Sequence, residues 1–307
     1  MRQNGRRLMN DLEMRMRYFE SLHPGCIFLY FVCMIGLSLV CFHPVMGLIS
    51  CMGAVLFLIM IRGWRQAAGW LMFAGTLLLF VAVANPLMSH RGASMIVKVF
   101  HQWITWEAVG YGITSGLSLA SLILWFACYS VVMTEDKFLY LFGQVAPGSA
   151  LLITTALQMI PKLKRQLTQI RISQQLLGTK PKTLQEKFSA GLRHLSTLIG
   201  WSMEDAVEQA DSMRARGYGI RRRTTFHLFV FDSRDLRFLM GLLILAFILC
   251  AGRMAGYGSM EFYPRMDPVV QGTGSFIFFV LYLILALLPG ILEMKEAVRW
   301  RSYKWMR

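Results

Sequence analysis

Long apolar runs alternate with short polar segments along the chain, and several of the runs approach the length of a membrane span. A helix needs roughly 20 apolar residues to cross the hydrocarbon core of a bilayer. The runs of about this length lie at 26–43, 45–61, 67–84, 110–133, 238–254 and 275–292. Pro44 follows the first run closely, which indicates a tight turn at 42–44 between antiparallel helices. The pattern predicts an all-α polytopic membrane protein with about six transmembrane helices.

The segment between the fourth and fifth runs has a different pattern, in which apolar residues recur every three or four positions. This spacing predicts two long amphipathic helices, from Pro147 to about Gly178 and over about 186–217. The first apolar stripe comprises Ile153, Ala156, Ile160, Leu163, Leu167, Ile170 and Leu177, and the second Phe188, Leu192, Leu195, Ile199, Met203, Ala206, Ala210 and Met213. We expect the two stripes to bury each other or to rest on the membrane surface.

The pattern divides the chain into an amphipathic arm (1–25), membrane helices (26–133), a central segment with the two amphipathic helices (134–237), further membrane helices (238–292) and a basic tail (293–307). The arm, the short turn after the second run and the tail together carry twelve lysine and arginine residues, whereas the loops on the opposite side carry four. Basic residues in short loops favour the cytoplasmic side. We therefore expect a multi-pass protein of the cell membrane with both termini and the central segment in the cytoplasm.

The composition also favours a membrane protein, and the positions of the basic residues help to interpret the net charge. The chain is 55% hydrophobic and only 16% charged, yet its formal net charge is +15. Such a charge is compatible with nucleic-acid binding or with attraction to anionic lipids. The arm combines apolar residues with arginines, and Trp300 and Trp305 lie among basic residues of the tail. This arrangement beside membrane spans predicts contact with membrane lipids and no nucleic-acid partner.

The sequence lacks the usual motifs for nucleotide binding, hydrolase activity and metal binding. The phosphate-binding pattern GxxxxGK[ST] is absent, as are HExxH and GxSxG, and the cysteines lie in apolar runs without metal-ligand spacing. The spans are nearly free of acidic residues, which proton- or ion-coupled carriers use. We therefore expect no catalytic residue, no metal site and no cofactor bound by this chain. Two alternatives stay open: a permease that binds its own substrate, and an intramembrane enzyme.

The ends of the two amphipathic helices raise a separate question. They consist of Leu176, Leu177 and Gly178, and of Ala215, Arg216 and Gly217, with more arginines at 214 and 221–223. One interpretation is helix capping, because glycine suits a left-handed cap and basic side chains stabilise a helix C-terminus. The other is docking, because an exposed arginine can bind a partner's carboxylate with two hydrogen bonds.

A stripe of small residues in the fourth span allows another helix to approach closely. It consists of Gly112, Gly116 and Ala120, four residues apart. The approaching helix belongs either to the same chain or to a separate membrane subunit.

Short motifs in a specific order carry a family resemblance. They are His23-Pro24, Asn85-Pro86-Leu87, Ser89-His90-Arg91-Gly92, Ile104-Thr105, Glu107-Ala108, Tyr111-Gly112 and Ala215-Arg216-Gly217-Tyr218-Gly219. In this order, over about residues 20–235, the chain resembles the transmembrane T component of energy-coupling factor (ECF) vitamin and metal transporters.

The resemblance implies a non-enzymatic coupling subunit with several partners. These would be two ATP-binding-cassette ATPase subunits, which bind the ATP, and a substrate-binding integral membrane S component, which selects the substrate. In that family two coupling helices end in Ala-Arg-Gly-like motifs that dock on the ATPases. Arg216 would be the docking arginine of the second helix. Leu177 stands where the first helix would have its arginine, so that contact would be apolar or would use Gln174 or Gln175.

Overall fold

A computed structural model describes residues 19–88, 95–99, 102–143, 146–177, 183–220, 229–263, 268 and 272–305. The chain divides into two compact units. The first, here called the membrane unit, comprises residues 1–138 and 229–307, and the second, the helix-pair unit, comprises residues 139–228.

Each predicted span corresponds to a helix of the membrane unit. The helices are α1 (Pro24–Val40), α2 (Pro44–Arg62), α3 (Trp64–Met88), α4 (Trp106–Val132), α8 (Ser233–Met254) and α9 (Thr273–Trp305). Within the described part of the chain, five of them are long and apolar enough to cross a membrane, and α1, with 17 residues, is shorter. The chain is therefore a multi-pass membrane protein by the length and composition of its helices.

Proline and histidine together define where α1 and α2 begin. Pro24 and Pro44 occupy the first turn of each helix, where the missing N–H removes no helical hydrogen bond. The preceding residues, His23 and His43, accept a hydrogen bond through Nδ1 from the backbone N–H of Gly25 and Val45, each at 3.2 Å. The predicted turn before Pro44 is confirmed, and these two histidines act as N-caps.

A hydrogen-bonded group of side chains joins four helices inside the membrane unit. Trp125 Nε1 of α4 donates to Ser50 Oγ of α2 at 2.9 Å, and Ser38 Oγ of α1 lies 2.9 Å from both Ser50 Oγ and Tyr282 Oη. All four side chains are buried. A buried polar group without a partner is costly in an apolar medium. These hydrogen bonds therefore favour one relative position of the four helices.

Pro289 interrupts the hydrogen bonding of α9, and a side chain compensates. Proline has no N–H, so the carbonyl of Leu285 loses its usual partner one turn later. Tyr30 Oη of α1 donates to this carbonyl at 3.2 Å. The interaction ties α1 to α9 at the point where α9 is weakest.

Phe19, whose apolar side chain the predicted amphipathic arm would turn toward the membrane surface, instead packs inside the membrane unit. Phe19 is 1% exposed, and its ring packs edge-on against Tyr30, Phe57 and Phe238. Its backbone N–H donates to Glu293 Oε1 at 2.9 Å. The apolar side chain at position 19 is therefore used for packing inside the membrane unit. Residues 1–18 of the predicted arm lie outside the described residues.

Two other features differ from the expected boundaries. A short antiparallel hairpin, β1 (Met95–Val99) and β2 (Gln102–Thr105), precedes α4, so the described chain is helical apart from this element. The last helix, α9, continues without a break to Trp305, through the residues expected to form a tail. A short helix, α5 (Glu135–Gly143), follows α4.

The helix-pair unit contains the two predicted amphipathic helices, α6 (Pro147–Leu176) and α7 (Leu184–Ala215). Thr183 begins α7 with a capping box, in which its hydroxyl accepts from Glu186 N and the Glu186 carboxylate accepts from Thr183 N. Both bounds agree with the sequence pattern to within two residues.

Of the two environments expected for the apolar stripes, each other or the membrane surface, burial against each other is not found among the described residues of this unit. The side chains of the second stripe from Phe188 to Met203 are half or more exposed, and Ile153 and Ile160 of the first are just under half exposed. Where the helices meet, Lys162 of α6 forms an ion pair with Asp205 of α7, and its ammonium lies 5.5 Å from the Trp201 ring centre. A partly polar face of α7 therefore contacts α6, which leaves the apolar stripe uncovered by that helix.

Candidate docking tip

The end of α7 adopts a hydrogen-bonding pattern known as the Schellman motif. Tyr218 N donates to Met213 O at 3.0 Å, and Gly217 N donates to Arg214 O at 2.9 Å. Gly217 has a φ of 82°, in the left-handed region that this motif requires and that glycine occupies without strain. The backbone therefore satisfies the carbonyls of the last turn by itself. We call residues 214–220 the α7 tip.

The side chains of the α7 tip are largely exposed. Arg214, Arg216 and Ile220 are exposed, and Tyr218 keeps about half of its surface exposed. Neither arginine forms an ion pair with any residue that the structure describes. The guanidinium of Arg216 is therefore available to a carboxylate of another molecule.

Acidic residues lie further back along the same helix. Glu204, Asp205, Glu208 and Asp211 occupy the turns before Arg214, and Glu204, Glu208 and Asp211 are exposed. α7 thus presents a negative segment followed by a positive end. A basic last turn is favourable to the helix dipole, by about 0.3–1 kcal/mol for each charge.

The end of α6 is apolar where the end of α7 is basic. Leu176 is 83% exposed and Leu177 is 80% exposed, so neither side chain belongs to a core. Leu177 N donates to Ser173 O at 3.2 Å, which closes the last turn. Gln175 is exposed and Gln174 is partly buried. Gly178 and the arginines at 221–223 lie outside the described residues.

The small-residue stripe of α4 is occupied by α3 of the same chain. A Cβ atom added at Gly116 would lie 2.9 Å from Leu78 O, and one added at Gly112 would lie 3.0 Å from Ala82 O. Ala82 is four residues before Pro86, so its carbonyl lacks the usual helical donor. Ala120 is also buried. Gly112 and Gly116 therefore pack against a helix of the same chain, which is one of the two alternatives left open by the sequence. A separate subunit would have to contact another surface.

A second helix end repeats the pattern of the α7 tip, which sequence reasoning overlooked. The tip reads Arg-Ala-Arg-Gly-Tyr-Gly from Arg214, and the end of α8 reads Arg-Met-Ala-Gly-Tyr-Gly from Arg253. We call the residues from Arg253 to Gly258 the α8 end. Here Tyr257 N donates to Gly252 O and Gly256 N donates to Arg253 O, each at 3.1 Å. The spacing of arginine, glycine and tyrosine is the same in both segments, and it could have indicated from the sequence that the two helices end in the same kind of cap.

The described residues hold no group of three or more histidine, cysteine or acidic side chains close enough to bind a metal ion. In the membrane unit, the serine, tyrosine and tryptophan side chains at 38, 50, 125 and 282 hydrogen-bond to one another. These bonds satisfy the buried polar groups within the unit. No family model matches the chain, and no curated protein matches it either.

Proposed function

We propose that this chain is the T component of an ECF-type transporter, a membrane scaffold that couples an ATPase pair to uptake of a vitamin or metal ion. The α7 tip carries the proposal, because Arg216 is exposed and unpaired among the described residues although the cap beside it is complete. An exposed arginine on a helix end whose backbone is fixed by a cap can bind a carboxylate in a groove with two hydrogen bonds.

The partners follow from this role. Two ATP-binding-cassette ATPases would bind and hydrolyse the ATP, one of them contacting Arg216 and the other contacting the end of α6, through its leucines or through Gln174 or Gln175. This chain itself is not an enzyme and binds no cofactor. With both termini and the helix-pair unit in the cytoplasm, as the distribution of lysine and arginine favours, the two helix ends face the ATPases.

The uncovered apolar stripe of α7 offers a contact for a substrate-binding S component. Phe188, Leu192, Leu195, Ile199 and Met203 are at least half exposed, and exposed apolar surfaces of this extent mark interaction sites. This surface replaces the α4 stripe, where α3 already fills the space beside Gly112 and Gly116. ATP-driven movement of the ATPases would reach the S component through the paired helices.

The test is co-purification of the chain with candidate ATPases from its own genome, as wild type and as Arg216→Glu. Removing one partner of a buried charge pair at an interface costs about 2–5 kcal/mol, and charge reversal adds repulsion. We expect the wild type to retain an ATPase pair and Arg216→Glu to lose it.

Arg193→Glu provides the matched control, because Arg193 is an exposed arginine of the same helix away from the tip. It should retain the ATPases. Retention of the ATPases by Arg216→Glu, or equal loss from both variants, would contradict docking through the α7 tip.

A further inference from the structure

The first described residues are bonded through their backbone to three helices of the membrane unit. Residues 19–23, here called the strap, begin with a turn of 3₁₀ helix, Phe19–Ser21, and lead into α1. Charged side chains of α9, α5 and α8 bind this backbone. The three hydrogen bonds run from Phe19 N to Glu293 Oε1 at 2.9 Å, from Lys137 Nζ to Glu20 O at 2.8 Å, and from His23 N to Asp235 Oδ1 at 3.3 Å.

The three charged side chains that hold the strap are buried. Glu293 is 2% exposed, Asp235 is 4% exposed and Lys137 is 9% exposed. A buried charge is costly unless hydrogen bonds satisfy it, and hydrogen bonds to a charged group are stronger than those between neutral groups. The strap supplies one hydrogen bond to each of these charges, so displacing the strap would be unfavourable.

Two of these side chains lie where the chain passes between the two units. The chain leaves the membrane unit after Phe138, within α5, and returns to it at Phe229. Lys137 is the residue before Phe138, and Asp235 lies in the first turn of α8, the first helix after the return. The strap is therefore bonded to both crossings, the one through α5 and the one that leads into α8.

Each crossing is also held by a local hydrogen bond. Lys137 Nζ donates to Val132 O at 3.0 Å, at the last residue of α4. Asp235 Oδ2 accepts from Asp232 N at 3.2 Å in the capping box that begins α8. Independent capping of two helix ends is thus the alternative explanation of these two charged side chains.

Ring contacts favour a role that includes the strap. The Phe19 ring packs edge-on against Phe238 with ring centres 6.0 Å apart, and the His23 ring packs edge-on against Phe231 at 5.3 Å. These two phenylalanines lie on either side of Asp235 in the sequence. The strap therefore contacts the start of α8 through two side chains as well as through its backbone.

We propose that the strap links the two crossings, so that a movement at the start of α5 is transmitted through residues 19–23 to the start of α8. All of these contacts lie within the membrane unit. The link goes beyond the proposed function and does not depend on ATPase docking at Arg216. Any movement of the helix-pair unit that displaces one crossing would displace the other with it.

Lys137→Met tests the link, because methionine has a stem of similar length but no donor for Glu20 O. Hydrogen–deuterium exchange is measured by mass spectrometry on the full chain in detergent. We expect faster exchange at residues 133–143, and also at residues 232–238 by roughly three- to tenfold, within the coupling range of residues in one hydrogen-bond network. Lys137→Gln, which keeps an N–H donor without the charge, should give the same pattern with smaller factors.

A second variant shows whether the effect travels through the strap. His23→Pro removes the N–H that Asp235 accepts, and the φ of −56° at His23 suits proline. In the His23→Pro background, Lys137→Met should no longer change the exchange at residues 232–238.

Controls for charge and for folding complete the experiment. Lys187→Met, the same substitution at an exposed lysine of α7, should change the exchange of neither segment. Exchange in the middle of α2 shows whether each variant keeps its fold. If Lys137→Met also exchanges faster there, Lys137→Gln is used in its place.

Three results would overturn the proposal. They are unchanged exchange at residues 232–238 in the Lys137 variant, the same increase there with and without His23→Pro, and an equal increase in Lys187→Met. No ATPase is present in these measurements, so failure of ATPase docking does not affect their outcome.

Discussion

The α7 tip and the α8 end share the same cap but differ in their surroundings. At the α8 end, the Tyr257 ring lies 6.4 Å from the Phe278 ring, and Arg253 Nε donates to Val40 O at 3.1 Å. At the α7 tip, a Cβ added at Gly219 would meet no described atom within 4 Å. The last glycine of the α8 end, Gly258, is therefore packed against its own unit, whereas Gly219 of the tip is exposed.

Comparing the two ends shows which residues of the tip the cap needs and which it does not. Both ends place glycine at positive φ, 82° and 92° in the tip and 94° and 76° at the α8 end. The residue before the first glycine is Arg216 in the tip and Ala255 at the α8 end. The cap therefore forms with alanine at this position, and capping alone does not account for Arg216.

The largest expected effect on stability is at the α8 end, in Gly258→Ala. The new Cβ would lie 2.5 Å from Phe278 Cε1 and 3.0 Å from Met46 Sδ, at a residue with positive φ. Left-handed strain and overpacking together should lower the unfolding free energy by about 3 kcal/mol. Gly219→Ala in the tip has the strain alone and should cost about 1 kcal/mol. Thermal unfolding in detergent compares the two, and equal losses would mean that the tip is packed as the α8 end is.

A second prediction concerns Arg216→Ala, which gives the tip the alanine that the α8 end already has. We expect the thermal stability to change by less than about 0.5 kcal/mol, as for other exposed substitutions. ATPase affinity should fall by about 1.5–3 kcal/mol, the contribution of hydrogen bonds to a charged group. Affinity is measured by titrating the purified ATPase pair onto immobilised chain. A loss of stability with unchanged affinity would assign Arg216 to capping.

The smallest effect is expected at the end of α6, in Leu177→Arg. Because Leu177 is largely exposed, the free energy of unfolding should change by less than about 0.5 kcal/mol. ATPase binding should be unchanged or stronger, since the variant creates the arginine that the resemblance places here. The same titration measures this. Weaker binding with intact folding would show that the leucine itself makes an apolar contact.

The approximate positions of the six apolar helices and the two amphipathic helices could be predicted from the sequence because the patterns that mark them are local. A run of apolar residues near span length indicates a membrane helix wherever it occurs, and Pro44 and Thr183 mark helix starts by their own chemistry. The β-hairpin before α4 was not predicted, because its strands are only five and four residues long. Such short segments contain too few positions for a clear periodicity.

The packing faces could not be predicted in the same way. Periodicity showed that α7 has an apolar stripe, but the face that contacts α6 includes Trp201 and Asp205. A stripe can be covered by the same chain, a partner or lipid, and local sequence does not distinguish these. Phe19 shows the reverse case, since an apolar residue expected on a membrane surface is buried against Tyr30 and Phe57.

The sequence by itself determined that α7 and α8 end in glycine caps, because Gly217 and Gly256 permit the left-handed backbone that closes each last turn. The tertiary structure alone decided which cap is covered. Phe278 and Met46 are distant in sequence from Gly258 and reach it only when their helices pack together. The described structure brings no such side chains to Gly219, so the last glycine of the same six-residue pattern is buried at the α8 end and exposed at the α7 tip.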